Sequence, residues 1–430
     1  MNELIRFVGE HIEEDVTRLL LDRNKWPGID MDLAVNCIES RRKLKGKVQE
    51  WYDEPQLIFP RRLSAEQCSS SATGTYKAVL AKSITDLSGY DRTSEIKIAD
   101  LTGGLGVDSW YFSKKFSTVL YCEMLPELCD AARHNFAVLG SDNIEVRNCA
   151  IISASEKSDE PAFHSPEEIL SDFQPSLVYM DPARRGEGGK KVFLIEECTP
   201  DVLTLKDEIF RFTHHLLIKL SPMADITMVC ERLGPCCREV HVVAAGGECK
   251  ELLIWMDREW DGDYSIKAVE LHKDGSYDSF AFTPAEERQA VPELVSELPC
   301  GTEGPACFLF EPGKALMKAG AFNLISSRFG IGKLGKSTHY YIFNEGSKEN
   351  AARLEGLGKV FRIVCCSPLD KKSIKAVSKE YPRAEVTARN LPMDTDTLRK
   401  KLGVASSDDT HIFGLRSDRF GNLILVTRIA

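Results

Sequence analysis

Apolar residues near the start of the chain recur at helical intervals. Ile5, Val8, Ile12, Val16, Leu19 and Leu20 are among them, and they predict amphipathic helices as far as about Glu54. These read as a helical cap on the domain that follows. The segment RRLSAEQCSSSATGTYKAVLAK (61–82) is polar first and helical after. Beyond it come short apolar runs of β-formers: IKIAD (96–100), TVLYCE (118–123), IEVRN (144–148), LVYMD (177–181), HLLIKL (215–220), EVHVVAA (239–245) and ELLIWM (251–256). Because these seven runs alternate with helical segments, they predict a parallel α/β sheet, with the last two close enough to pair antiparallel at one edge. After about Asp261 the connections turn rich in glycine, proline and serine. There FLFEP (308–312), HYYIF (339–343), KVFRIVCC (359–366), AEVTARN (384–390) and NLILVTRI (422–429) read as strands. Helices are expected between them at Lys314 to Ile325, Lys371 to Lys379 and Asp396 to Leu402, giving small α+β modules. The expected divisions are 1–58, 59–260, 261–355 and 356–430.

Composition narrows the class. At 430 residues, with 43% hydrophobic and 28% charged, the chain reads as a multidomain globular protein. No apolar run reaches the roughly 18 residues of a membrane span, and MNELIRFVGEHIEEDV has acids where an export signal needs an apolar core. The expected location is cytoplasmic, with no membrane partner. The 14 cysteines are scattered through predicted strands and helices and read as reduced thiols; none recurs with histidines at zinc spacing, so no metal is expected. The net charge of −10 is unevenly placed. From Glu311 onward 21 Lys and Arg face 12 Asp and Glu, an excess of +9, against −19 for the rest. A basic tail on an acidic chain fits either a polyanionic partner or a merely solvated surface.

Candidate chemistry gathers where the predicted strands end. LVYMDPARRGEGGKK (177–191) puts Asp181 at the carboxyl end of a strand, the edge at which open α/β sheets bind ligands. Pro182 and the cations Arg184, Arg185, Lys190 and Lys191 follow. Upstream, IADLTGGLGVDSWYFS (98–113) reads as strand, glycine turn and helix start, with Asp100, Thr102, Gly103, Gly104 and Gly106 in the turn. Glycines let a backbone approach a ligand closely. Glu123 follows about 20 residues on, where a carboxylate can accept both hydroxyl protons of a ribose. A nicotinamide dinucleotide would suit the same plan, but GxGxxG is absent and Thr102 stands in place of its first glycine.

These residues resemble class I S-adenosylmethionine-dependent methyltransferases. The resemblance implies a Rossmann-like, seven-stranded sheet and S-adenosyl-L-methionine as cofactor. The Asp100–Gly106 loop resembles that family's first motif, Glu123 its ribose acid, Asn148 its adenine contact and Asp181-Pro182 its catalytic fourth motif. Asp108, Met124 and Gln67 join the implied cofactor set. Gln67, Ser69 and Ser70 resemble the segment that closes over the methionine end of the cofactor; capping of the following helix is the alternative. The turn is most similar to small-subunit rRNA guanine-N2 methyltransferases. The whole chain resembles bacterial RNA methyltransferases with a ferredoxin-like module and a C-terminal THUMP-like module.

The resemblance implies methyl transfer to an exocyclic amino group such as guanine N2, on structured RNA (rRNA or tRNA) delivered by the basic tail. Asp181 and the Pro182 carbonyl would accept the amine hydrogens. Arg184 stands where the motif has an aromatic, so any base stacking falls to its guanidinium. Arg185, Lys190 and Lys191 would hold phosphates, and Arg383, Arg389, Arg399, Lys400 and Lys401 form an expected RNA surface. Uracil-C5 transfer needs a thiolate after the next strand, where KLSPMAD supplies Ser221 instead. Ribose 2′-O-methylation remains open, because Lys77, Asp181, Lys219 and Glu251 occur in the order of a Lys-Asp-Lys-Glu tetrad. For Lys219 the bland alternative is snorkelling from the sheet edge. A non-catalytic RNA-binding protein on the same fold, or a methyltransferase acting on protein or small molecules, is a further alternative.

Overall fold

The structure is a computed structural model, described for residues 2–87, 95–156, 162–184, 194–298, 306–345, 353–407 and 409–429. It divides into two compact units. The first comprises Met1–Val240, Glu251–Asp263 and Lys273–Gly275, and the second His241–Lys250, Tyr264–His272 and Ser276–Ala430.

The first unit opens with the helices Asn2–Glu10, Val16–Leu21, Met31–Leu44 and Gln49–Asp53. Asp15 and Asp30 cap two of them by accepting first-turn amides. Leu4, Phe7, Val8, Leu19, Met31, Ala34 and Ile38 close one apolar cluster between them. Arg41 is buried, and its guanidinium donates to the carbonyls of Tyr52, Glu54, Pro55 and Leu57 at 2.9 to 3.1 Å. Four acceptors satisfy the fork that burial would otherwise strand, and they fix the exit of the helical region.

The seven expected strands lie in one sheet. Their order is Cys237–Ala245, Glu248–Asp257, His215–Leu220, Leu177–Met180, Lys97–Asp100, Thr118–Glu123 and Ile144–Asn148. The last five are mutually parallel. Glu248–Asp257 runs antiparallel to His215–Leu220, with Leu252 opposite Leu220 and Asp257 opposite His215. All four residues of Leu177–Met180 are buried, as an apolar run without polar alternation requires in a strand covered on both faces. The parallel strands therefore present Asp100, Glu123, Asn148, Asp181 and Leu220 at one edge.

The second unit adds an unforeseen hairpin, Ser265–Leu271 with Tyr277–Phe282, and a seven-stranded sheet. The sheet order is Gly332–Lys333, Tyr341–Asn344, Cys307–Pro312, Gly358–Pro368, Gly421–Ile429, Thr410–Ser417 and Glu385–Arg389. Neighbours are antiparallel except the last pair, which is parallel. Leu423 and Leu425 face one core with Leu309, Phe361 and Phe413; Ile424 and Val426 face another with Val386, Leu398 and Leu402. That alternation is the period of two of a strand buried on both sides. The helix expected from Lys314 to Ile325 is two, Lys314–Ala319 and Leu324–Phe329. Gly320, at φ +84°, ends the first by donating to the Leu316 carbonyl in a left-handed cap. No described helix is long and apolar enough to cross a membrane, and the 13 described cysteines are all free thiols.

Candidate active site

Asp100 ends its strand beneath the glycine turn, 1% exposed. Its carboxylate accepts from Thr102 N at 3.1 Å and from Ser109 Oγ at 2.6 Å. Burial pushes this carboxyl up to about 7. Thr102 Oγ1 accepts from Asp181 N at 2.6 Å, so the turn and the end of the Leu177–Met180 strand are tied together. Glu123 is held by two amides: Gly104 N donates to Oε2 at 3.0 Å and Leu125 N to Oε1 at 2.9 Å. Burial raises its pKa, and the amides oppose that by stabilising the anion. The glycines differ from the expectation of room for a ligand. A Cβ on Gly103 would stand 2.2 Å from the Tyr121 ring, and one on Gly106 2.7 Å from the Phe136 ring. Both make room for the protein's own rings. Gly104, at φ +55°, has only the Thr102 carbonyl, 3.9 Å away, near where a Cβ would stand, and it turns its amide to Glu123.

Next to this turn lies a buried charge network. Lys77, from the helix Ser71–Leu87, has no side-chain exposure. Its ammonium donates to Ser69 Oγ at 2.5 Å and Glu251 Oε2 at 3.2 Å, and lies 3.1 Å from Asp108 Oδ1. Asp108 also accepts from Ser69 Oγ at 3.0 Å and Tyr179 OH at 2.9 Å. Lys219 donates to Asp181 Oδ2 at 2.5 Å. Burial alone would raise Asp108, but the Lys77 and Lys219 ammoniums hold it below the usual carboxylate value. Burial alone would lower Lys219, yet the carboxylates of Asp181, Glu251 and Asp108 bring it above the usual lysine value. For Glu251 burial outweighs both lysines and raises the pKa; its Oε1 has no hydrogen-bond partner among the described residues. Three carboxylates thus share two ammoniums. A buried site with acid in excess suits a cationic ligand.

The other expected site residues fall as follows. Asn148 donates from Nδ2 to the Glu123 and Met124 carbonyls at 2.8 and 3.0 Å, bracing the loop after Glu123. Met124 is 45% exposed, and Gln67 is exposed at the end of the helix Arg62–Gln67. Ser70 accepts from Thr73 N at 3.3 Å as a helix cap, whereas Ser69 serves Lys77 and Asp108. Pro182 is buried after Asp181. Arg184 lies in the short strand Ala183–Arg184, paired with Cys198–Thr199. Arg185, Lys190 and Lys191 lie outside the described residues. Lys219 does not snorkel; its ammonium is spent on Asp181. Sequence reasoning missed Tyr179 and Ser109, whose hydroxyls bind Asp108 and Asp100. The available signal was a phenol inside an otherwise apolar strand, whose buried hydroxyl needs a partner. Among the described residues no group of three or more His, Cys, Asp or Glu could hold a metal ion.

Comparison with known proteins bears on the fold. Residues 308–349 match the family model of a ferredoxin-like domain, and residues 358–428 that of a THUMP-domain-like family. A crystal structure from Porphyromonas gingivalis W83, provisionally described as a methyltransferase, is 28% identical; the match covers 100% of this chain and 98% of that one, with a TM-score of 0.80. A tRNA/tmRNA (uracil-C(5))-methyltransferase from Shewanella oneidensis is 26% identical over 196 residues, 42% of this chain. The match spans 52% of that relative's length. The chain therefore has the methyltransferase fold: a parallel-rich α/β sheet, followed by ferredoxin-like and THUMP-like domains.

Proposed function

We propose that the protein is an S-adenosyl-L-methionine-dependent RNA methyltransferase acting on an exocyclic amino group such as guanine N2. The observation that carries this reading is the 2.6 Å bond from Asp181 N to Thr102 Oγ1, which sets the acceptor carboxylate against the glycine turn of the cofactor site. The residues fit that cofactor. Glu123, fixed by two amides, would take the ribose hydroxyls; Asn148 would face the adenine; the acid-rich network would favour the sulfonium. When bound, the cofactor supplies an electrophilic methyl group. Asp181 and the Pro182 carbonyl orient the amine so that its lone pair faces that methyl. Lys219 aims the Asp181 carboxylate by donating to its Oδ2.

Ribose 2′-O-methylation is the second reading, because Lys77, Asp181, Lys219 and Glu251 meet in one network. It requires a lysine that takes a proton. The raised pKa of Lys219 leaves that lysine charged, which favours the amine. The uracil-C5 chemistry of the Shewanella relative finds Ser221 where its thiolate would be expected. The test is transfer of labelled methyl to RNA from cells lacking the protein, followed by nucleoside digestion. Label in an amino-methylated base is expected; label on ribose or on uracil C5 overturns the assignment. Asp181→Asn should keep partial activity, since an amide oxygen still accepts hydrogens, whereas Asp181→Ala should not.

A further inference from the structure

One row of side chains crosses the sheet of the second unit. Phe343, Phe308, Arg362, Arg428 and Thr410 stand directly opposite one another on five successive strands, and so share one face. Phe343 and Phe308 are buried and stack on each other, centroids 5.3 Å apart. Arg362 and Arg428 are exposed, two cations side by side at the middle of the row. Like charges in that position weaken a sheet. Among the described residues neither arginine has an acidic ion-pair partner.

A second set of repelling cations lies on the same side. The helix Lys371–Glu380 packs on this face: Ile374, Val377 and Tyr381 cluster with Val364, Ile424 and Val426. Val426 points the same way as Arg428, two residues on. Lys371, Lys375 and Lys379 follow at four-residue spacing, all exposed and without an ion pair among the described residues. Like charges at that spacing repel as well. Both sets cost folding stability in the protein alone, and both are relieved when a polyanion neutralises them. The cluster expected from sequence is less available, because Arg399 is already bonded to Glu385 at 2.9 Å and Ser406 at 3.0 Å.

We propose that Arg362 and Arg428, with the Lys371, Lys375 and Lys379 stripe, form the surface on which the protein docks structured RNA through backbone phosphates. This rests on the reading of the chain as an RNA methyltransferase. Cations without base-reading partners recognise the shape and charge of a folded RNA rather than its sequence.

The experiment measures binding of a fluorescent hairpin RNA to the full chain by anisotropy, as a function of salt. The variants are Arg362→Ala/Arg428→Ala, the triple Lys371→Ala/Lys375→Ala/Lys379→Ala, and the charge-keeping Arg362→Lys/Arg428→Lys. The two neutralising variants should bind about tenfold more weakly, and the salt slope should fall by roughly 2 when two phosphate contacts are lost. The lysine-for-arginine variant should keep most of the affinity. Thermal unfolding of the arginine-to-alanine variant should be no lower than wild type, since a repulsion has been removed. If the wild type binds RNA and the neutralised variants bind it equally well, this face is not the docking surface, while the RNA reading survives. Wild-type protein that ignores the hairpin, or prefers phosphatidylserine vesicles, would overturn both.

Discussion

Asp100 is the residue on which the site's titration turns. Its strand buries it completely, and two hydroxyl or amide donors offset only part of the lost hydration. The folded pKa of about 7 exceeds the model-peptide value near 3.8. Between those values the native state binds more protons than the unfolded one. The contribution of Asp100 is therefore fully present below about pH 4 and is lost as pH climbs through 7, on the order of 4 kcal/mol in all. Asp100→Asn, which stays neutral, should gain stability relative to wild type from pH 5 to pH 8, as measured by urea unfolding at both. A difference independent of pH would mean that Asp100 is ionised throughout. The sequence marked Asp100 as a site residue from its place before the glycines, yet gave no hint of this titration. Burial is a property of the assembled sheet. Asp108 teaches the same point from the other side: read as a cofactor contact, its carboxylate is taken up by Lys77, Ser69 and Tyr179, which folding alone brings together.

At the scale of elements, the parallel strands were legible because a strand covered on both faces must be an unbroken run of β-formers. Thr118–Glu123 and His215–Leu220 have the bounds that their apolar runs predict. Ser265–Leu271 and Thr410–Ser417 were not legible, because SIKAVEL and THIFGLRS interleave charges or glycine with their apolar positions. The glycine turn was legible as a motif, while the reason for its glycines was only half so. Gly103 is excluded from carrying a side chain by Tyr121, a buried ring whose hydroxyl donates to the Gly104 carbonyl at 2.6 Å. Gly103→Ala should push that ring out of place and break its bond to the turn. The expected cost is about 1 to 3 kcal/mol, the usual range for overpacking. Calorimetry should also show weaker S-adenosyl-L-methionine binding, because Gly104 carries the amide that holds Glu123. Unchanged stability with lost binding would return the glycine to the role read from sequence, clearance for the ligand alone.

At the scale of the whole chain, the two family-matched segments of the second unit are parts of one sheet. Gly358–Pro368, inside the THUMP-like match, pairs on one side with Cys307–Pro312 of the ferredoxin-like match and on the other with Gly421–Ile429. Its Phe361 packs with Leu309 and Ile342 from the first segment and with Phe413 and Leu425 from the second. Two modules in sequence are thus one core in space, and neither has a complete set of neighbours alone. A chain ending at Gly356 would leave the whole length of Cys307–Pro312 as an unpaired edge and expose Leu309, which is fully buried in the intact protein. We expect such a truncation to lose protease resistance across 306–345, and the intact chain to unfold these segments in a single step by hydrogen exchange, since strands that share a ladder open together. Protection of 307–344 that persists in the truncated chain would show that the ferredoxin-like segment folds independently. In that case the boundary between the two matches would be a true domain boundary, and variants on the 358–429 side could be studied without it.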